Sequence, residues 1–244
     1  MNKEKISDCL SYIFFANHCR LCGKVIDRHH QLCSECERGE FRIEGEICPL
    51  CGFSKTDCVC KGKKHSYSAI CAPYYYQGGA KKAVLRIKYA LREENAVYLA
   101  QQMADCVKLH FASVEPDEIT FVPMTEKQLS EREENQSELL ARQVGKILGL
   151  PVRKYLVKKF DTKPQHSLKE ALRSGNVLGV FDVIPEKNRS QTFTPEGKTV
   201  LLCDDVKTTG ATLNECAKML KLNGAKQVIC VSAAITKKQV DKNK

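Results

Sequence analysis

The chain has no tryptophan, only four methionines and an aromatic content of 7%, so any aromatic surface must be built from a few tyrosines and phenylalanines. It also lacks an apolar stretch long enough to cross a bilayer. The longest early apolar run, Leu10 to Ala16, follows a basic start but is short, and no small-residue cleavage pattern comes after it. A short amphipathic helix packed on a neighbouring domain is expected there, not a secretion signal. These absences exclude a membrane-spanning protein and point to a cytoplasmic one. At 244 residues and 43% hydrophobic content, the chain is sufficient for one medium α/β domain and a small appendage.

Cysteine, in contrast, is abundant. Of fourteen cysteines, eight fall between Cys19 and Cys60 in close pairs, and the other six are scattered singly. Without a secretion signal, such pairs read as thiolate metal ligands in a reducing compartment, not as a disulfide scaffold. Cys19-x2-Cys22 and Cys33-x2-Cys36 have the spacing that lets two tight turns converge on one tetrahedral ion. Cys48-x2-Cys51 and Cys58-x-Cys60 form a tighter second set, with Gly52 placed where the turn needs positive φ. Four sulfurs in each set leave no coordination position for water, so one or two structural zinc ions are expected. So short a segment draws its folding energy from the metal. Crossed pairing of the four turns stays open at this point. His18, His29 and His30 lie nearby but are redundant where four cysteines are available, and are expected in solvent.

The formal charge is +10. Eight bound thiolates and two zinc ions bring this to about +6. Residues 1–66 hold 11 of the 39 basic and 9 of the 29 acidic side chains, so the surplus sits on the remainder. A basic body suits nucleic acid or a phosphorylated ligand, and equally an ordinary solvated surface. Cysteine density drops after Lys61–Lys64, which sets a boundary near residue 66: a cysteine-rich module over 1–66 and a second domain over 67–240.

In that second domain, Tyr67 to Tyr76 alternates like a strand, and residues 80–109 have helical periodicity with a break at Glu93 to Asn95. A helix over 137–149 and strands near 119–123, 199–203 and 227–235 continue an alternation that predicts a mostly parallel sheet covered on both sides. Lys81, Lys82, Arg86, Lys88 and Arg92 crowd the first helix and are candidates for nucleic-acid contact, with Tyr67, Tyr74, Tyr75, Tyr76 and Tyr89 near enough to stack on bases or simply to pack.

The most informative stretch is residues 199–213. Four apolar residues end in the paired carboxylates Asp204 and Asp205, and Lys207, Thr208, Thr209, Gly210, Ala211 and Thr212 then lead into a helix over 213–222. A loop entering a helix offers free backbone amides, hydroxyls add donors for a phosphate monoester, and a glycine allows close approach. The two acids can accept hydrogen bonds from a vicinal diol. Phosphate at one end and diol at the other describe a ribose 5-phosphate. The loop has no Gly-Lys-Thr/Ser of a Walker motif and no spaced glycines of a dinucleotide fold.

This pattern resembles the signature of type I phosphoribosyltransferases. Joined to the cysteine-rich front end, it is similar to the ComF family, and the likeness covers nearly the whole chain. Lys88-Tyr89, Val122-Pro123, Arg132 with Asn135-Gln136, and Gln165, Arg173 and Asn176 agree with it. Glu133-Glu134 stand where the family has Gly-Phe, which places two negative charges near the loop expected to hold pyrophosphate, and Lys207 lies where some relatives carry an acid that acts as base.

The resemblance implies an α/β parallel-sheet type I phosphoribosyltransferase fold with an N-terminal zinc-ribbon-like module. It further implies Mg2+ with phosphoribosyl pyrophosphate as ligand, and a role in natural transformation with single-stranded DNA and other DNA-uptake or recombination proteins as partners. Membrane association would then come only through those partners. Two functional classes follow: a binding module that handles incoming DNA, and a transferase passing phosphoribosyl to an amine or nucleobase.

Overall fold

The computed structural model describes residues 17–58, 60–62, 64–90, 93–132, 134–160, 179–184 and 193–237. The stretch Leu10 to Ala16 and residues Arg92, Glu133, Gln165, Arg173 and Asn176 lie outside them, as does the side chain of Tyr89.

The front end is built of tight turns. Strands β1 (Asn17–His18) and β2 (Val25–Ile26) pair antiparallel around the first Cys-x2-Cys turn, and a single helical turn, α1 (Ser34–Glu37), carries the second pair. Gly23 and Gly52 close their turns at φ +81° and +77° and donate backbone N–H bonds to the carbonyls of Cys19 and Cys48. A 3-10 turn, Lys55–Asp57, is capped by the Ser54 hydroxyl.

The chain then enters the sheet. The expected strand over 67–76 appears as two pieces, β3 (Ala69–Cys71) and β4 (Tyr74–Tyr75), both parallel to the same partner and separated at Pro73, which has no N–H to donate. The helical stretch appears as α2 (Gly78–Ala90) and α3 (Glu93–His110), so the expected break at Glu93 to Asn95 falls instead on the first turn of α3. Strand β5 (Glu118–Phe121) follows, then α4 (Glu126–Arg132), α5 (Gln136–Leu148), and an antiparallel pair β6 (Leu156–Lys158) and β7 (Phe181–Val183). Strand β8 (Thr199–Lys207), helix α6 (Ala211–Leu222) and strand β9 (Gln227–Ile235) complete it.

The sheet runs β3–β9–β8–β5, all parallel, with β4 continuing alongside β9. Both faces are covered, which is why β8 and β9 are apolar at consecutive positions. Leu201, Cys203, Ile229 and Val231 face one core with Ile87 of α2, Leu99 and Met103 of α3, and Leu140 and Val144 of α5. Val200, Leu202, Val228 and Cys230 face the other, with Leu213, Cys216 and Leu220 of α6 and Phe181 and Val183 of β7. The cysteine-rich segment is packed into this body: Leu21 and Phe41 join the first core, and Ile43, Cys51 and Phe53 form a third with Tyr75 and Ile235. No helix among the described residues is long and apolar enough to cross a membrane.

Candidate functional site

The thiols gather as two separate sets. The sulfurs of Cys19, Cys22, Cys33 and Cys36 lie within 4.8 Å of one another, as do those of Cys48, Cys51, Cys58 and Cys60. Sequential turns therefore pair with each other, and the crossed arrangement is excluded. Cys22–Cys33 at 3.6 Å, Cys48–Cys60 at 3.7 Å and Cys51–Cys58 at 3.5 Å approach the ~3.8 Å that a tetrahedral ion with ~2.3 Å zinc–sulfur bonds would impose. Burial alone would raise the Cys19 thiol, but the amides of Cys22, Cys33 and Leu21 outweigh it and bring it down to about 7. Cys48 is likewise brought to about 7 against burial, by the amides of Cys51 and Leu50 and the thiols of Cys58 and Cys51. Burial and neighbouring sulfurs then push Cys36 and Cys51 up, since a second negative charge in the same set is unfavourable. A divalent cation removes that penalty. Two all-sulfur sets of this geometry suit structural zinc. His29 and His30 are exposed and His18 is half-buried, and none joins either set.

At the carboxyl end of β8, Asp204 is buried and Asp205 half-buried. The Asp204 Oδ1 accepts hydrogen bonds from Ser137 Oγ at 3.0 Å and from the Asp205 amide at 3.0 Å, so helix α5 fixes its orientation. Burial, with the Asp205 carboxylate beside it, holds the Asp204 carboxyl well above its ordinary range. Lys88 Nζ stands 3.8 Å from Asp205 Oδ2. Such a pair can accept two hydroxyl hydrogens from a diol.

Beyond the acids the chain turns through Gly210, at φ +82°, and α6 begins. Thr208 is exposed and Thr209, Ala211 and Thr212 are half-buried, with Thr209 Oγ1 accepting from the Ala211 amide at 3.3 Å. Lys207 runs beneath this turn. It is 6% exposed, its ammonium lies 5.5 Å from the centre of the Phe53 ring, and a Cβ on Gly210 would sit 3.1 Å from its Cε. The ring comes from the second cysteine-rich turn, and so does the Leu50 carbonyl, which accepts from the Tyr67 hydroxyl at 3.2 Å. The cysteine-rich segment thus forms the floor of the loop. Sequence reasoning named Tyr67 only as a stacking or packing residue and did not find Phe53 or Ser137. Only the last had a signal, its place after Asn135-Gln136.

On the neighbouring strand end, Asn135 caps α5. Its Oδ1 accepts from the amides of Ser137 and Glu138, and its Nδ2 donates to the Val122 carbonyl at 3.0 Å, tying the Val122-Pro123 turn to the helix. Gln136 Nε2 donates to the Glu134 carbonyl. Its buried Oε1 and the Ser232 hydroxyl, opposite Asp204 in register, have no hydrogen-bond partner among the described residues.

The basic residues of α2 differ in their surroundings. Lys81 and Lys82 are exposed, Arg86 donates to the Cys19 carbonyl at 3.3 Å, and Lys88 belongs to the acidic pair. Tyr67, Tyr74 and Tyr75 are buried in the packing, and Tyr76 is half-buried near Lys81.

The sequence matches the phosphoribosyl transferase domain family over residues 95–244. The chain belongs to that family. Among curated proteins it is 28% identical to DNA utilization protein YhgH of Salmonella typhi, over 86% of this chain and 93% of that one. It is 25% identical to Competence protein F of Haemophilus influenzae, covering 86% and 92%. Competence protein ComFC of Streptococcus pneumoniae is 28% identical, covering 81% and 84%. A solved purine phosphoribosyltransferase from Pyrococcus horikoshii is 18% identical over 61% of this chain and 85% of its own, with a TM-score of 0.32. The chain is accordingly a ComF-family protein with a type I phosphoribosyltransferase domain, its parallel sheet ending in the Asp204–Asp205 loop and its front end carrying two four-cysteine sets.

Proposed function

We propose that this ComF-family protein binds Mg2+-phosphoribosyl pyrophosphate at the end of β8 and holds single-stranded DNA on its basic body during DNA uptake. The observation that carries the ligand is the acidic pair, one member oriented by Ser137, placed directly before the left-handed turn at Gly210 and the start of α6. Asp204 and Asp205 accept the ribose hydroxyls. The amides and hydroxyls of Thr208 to Thr212 receive the 5-phosphate, and Lys207 supports the turn from below while adding positive charge. Pyrophosphate with its Mg2+ lies toward the Val122-Pro123 turn. The module of residues 1–66, holding two structural zinc ions, braces this loop in the domain of residues 67–240.

The relatives named for competence and DNA utilization support the DNA partner, as does the positive surplus outside residues 1–66. A binding module is favoured over a transferase because transfer to an amine or base needs a proton acceptor. Lys207, at the loop position where some relatives carry an acid, is instead buried with its ammonium over Phe53.

The test is fluorescence anisotropy of a labelled single-stranded oligonucleotide with the zinc-loaded protein, across several salt concentrations, with and without Mg2+-phosphoribosyl pyrophosphate. Salt-sensitive binding that shifts with the ligand is expected. No binding at low salt would overturn the reading. In a deletion strain, lost transformation with normal growth is expected, whereas a purine requirement would replace the binding module with an enzyme.

A further inference from the structure

Beside the candidate site is a second feature that neither the acidic pair nor the thiolate sets use. A cleft of about 420 Å3 opens between the turn after β5 and strand β6. Lys127 lines one side and Lys154, Lys158 and Lys159 the other, with Glu126 the single acid among its lining residues. Lys159 pairs with Asp182 at 2.5 Å, and Lys158 Nζ donates to Gln128 at 2.9 Å. Lys127 and Lys154 are exposed, and no carboxylate among the described residues pairs with either.

With Lys159 offset by Asp182 and Glu126 as the single acid in the lining, the four lysines still leave a positive surplus at the opening, and a row of phosphates lowers its cost while releasing its own counterions. Phe160, the next residue after Lys159, is 65% exposed, an unusual place for a phenyl ring unless it meets a flat apolar partner. Lysines tracking a backbone next to an exposed aromatic are the two parts that a sequence-tolerant single-strand groove needs. Pro123 to Thr125, which line the cleft, follow β5, and the last residue of β5, Phe121, is paired in register with Cys203, next to Asp204. Helix α2 offers less, since Arg86 and Lys88 are already engaged there.

We propose that this lysine-lined cleft, and not the outer face of α2, carries the phosphate backbone of single-stranded DNA, with Phe160 stacking on a base. The inference rests on the DNA-binding reading above and locates its surface. The probe is a labelled oligo-dT, titrated against wild type, Lys127→Glu/Lys154→Glu, Lys81→Glu/Lys82→Glu and Phe160→Ala, each checked for zinc content and melting temperature.

The cleft double variant should lose at least about tenfold in affinity, with the slope of log K against log salt reduced by roughly 1.4. Phe160→Ala should lose on the order of tenfold with the slope unchanged. The α2 double variant should stay within about threefold of wild type by comparison with these losses. If wild type binds and only the α2 variant is impaired, the cleft is wrong while the DNA reading stands. If wild type does not bind, both fall. If the cleft variant keeps the DNA but loses Mg2+-phosphoribosyl pyrophosphate, the lysines serve the free pyrophosphate group and the proposal is overturned.

Discussion

Asp204, proposed to hold the ligand, carries a cost in stability. Its carboxyl is buried beside another acid and is held well above its ordinary range. A folded-state pKa raised in this way contributes stability that is complete below the unfolded carboxyl value of about 3.9 and is lost as pH rises through the folded value. Asp204→Asn keeps an oxygen for Ser137 Oγ and removes the charge. The ligand-free variant should therefore match wild type near pH 4 and become more stable than it by on the order of 1 kcal/mol or more at pH 8. Denaturant melts at the two pH values check this, and a variant less stable at pH 8 would contradict the burial argument. At Gly210, both φ +82° and the 3.1 Å approach to Lys207 resist a side chain. Gly210→Ala should cost about 1–2 kcal/mol by the same measurement.

At the scale of elements, Asn135 does two things with one side chain. It caps α5 and holds the Val122 carbonyl, so the helix that orients Asp204 and the turn beside it are linked. Asn135→Ala should lower stability by about 1–2 kcal/mol and weaken ligand binding, whereas Asn135→Asp should restore the cap but not the bond to Val122. Elements with strong local patterns were legible in the sequence: β8 from its apolar run and terminal acids, α2 and α3 from their spacing, and both thiolate sets from paired cysteines. The antiparallel pair β6–β7 and helix α4 were not. Each is short, and β6 finds its partner more than twenty residues away, across a distance that periodicity does not register. The engagement of Arg86 within the basic run of α2 was not legible for a related reason. Arg86 bonds to a carbonyl sixty-seven positions earlier, a contact set by the folded cysteine-rich segment and not by its own helix.

In the whole molecule, the cysteine-rich segment is part of the domain's packing. Leu21, Phe41 and Phe53 fill the same cores as the sheet, and Gly52 lies so close to Ile235 that an added Cβ would stand 2.6 Å from its Cδ1. Loss of the second metal should therefore reach the ligand loop through Phe53 and Lys207. Cys51→Ser should reduce zinc from two ions per chain to one and lower the melting temperature. It should also weaken Mg2+-phosphoribosyl pyrophosphate binding, and atomic absorption with calorimetry measures each quantity. Ligand binding is proposed at the end of β8, on the acidic pair oriented by Ser137 and the turn at Gly210. Its most direct test is calorimetric titration of Mg2+-phosphoribosyl pyrophosphate into the zinc-loaded protein and into Asp204→Asn/Asp205→Asn. Saturable binding at one site per chain, absent from the variant despite full zinc content, is predicted. No heat from wild type, or equal binding by both proteins, would contradict it.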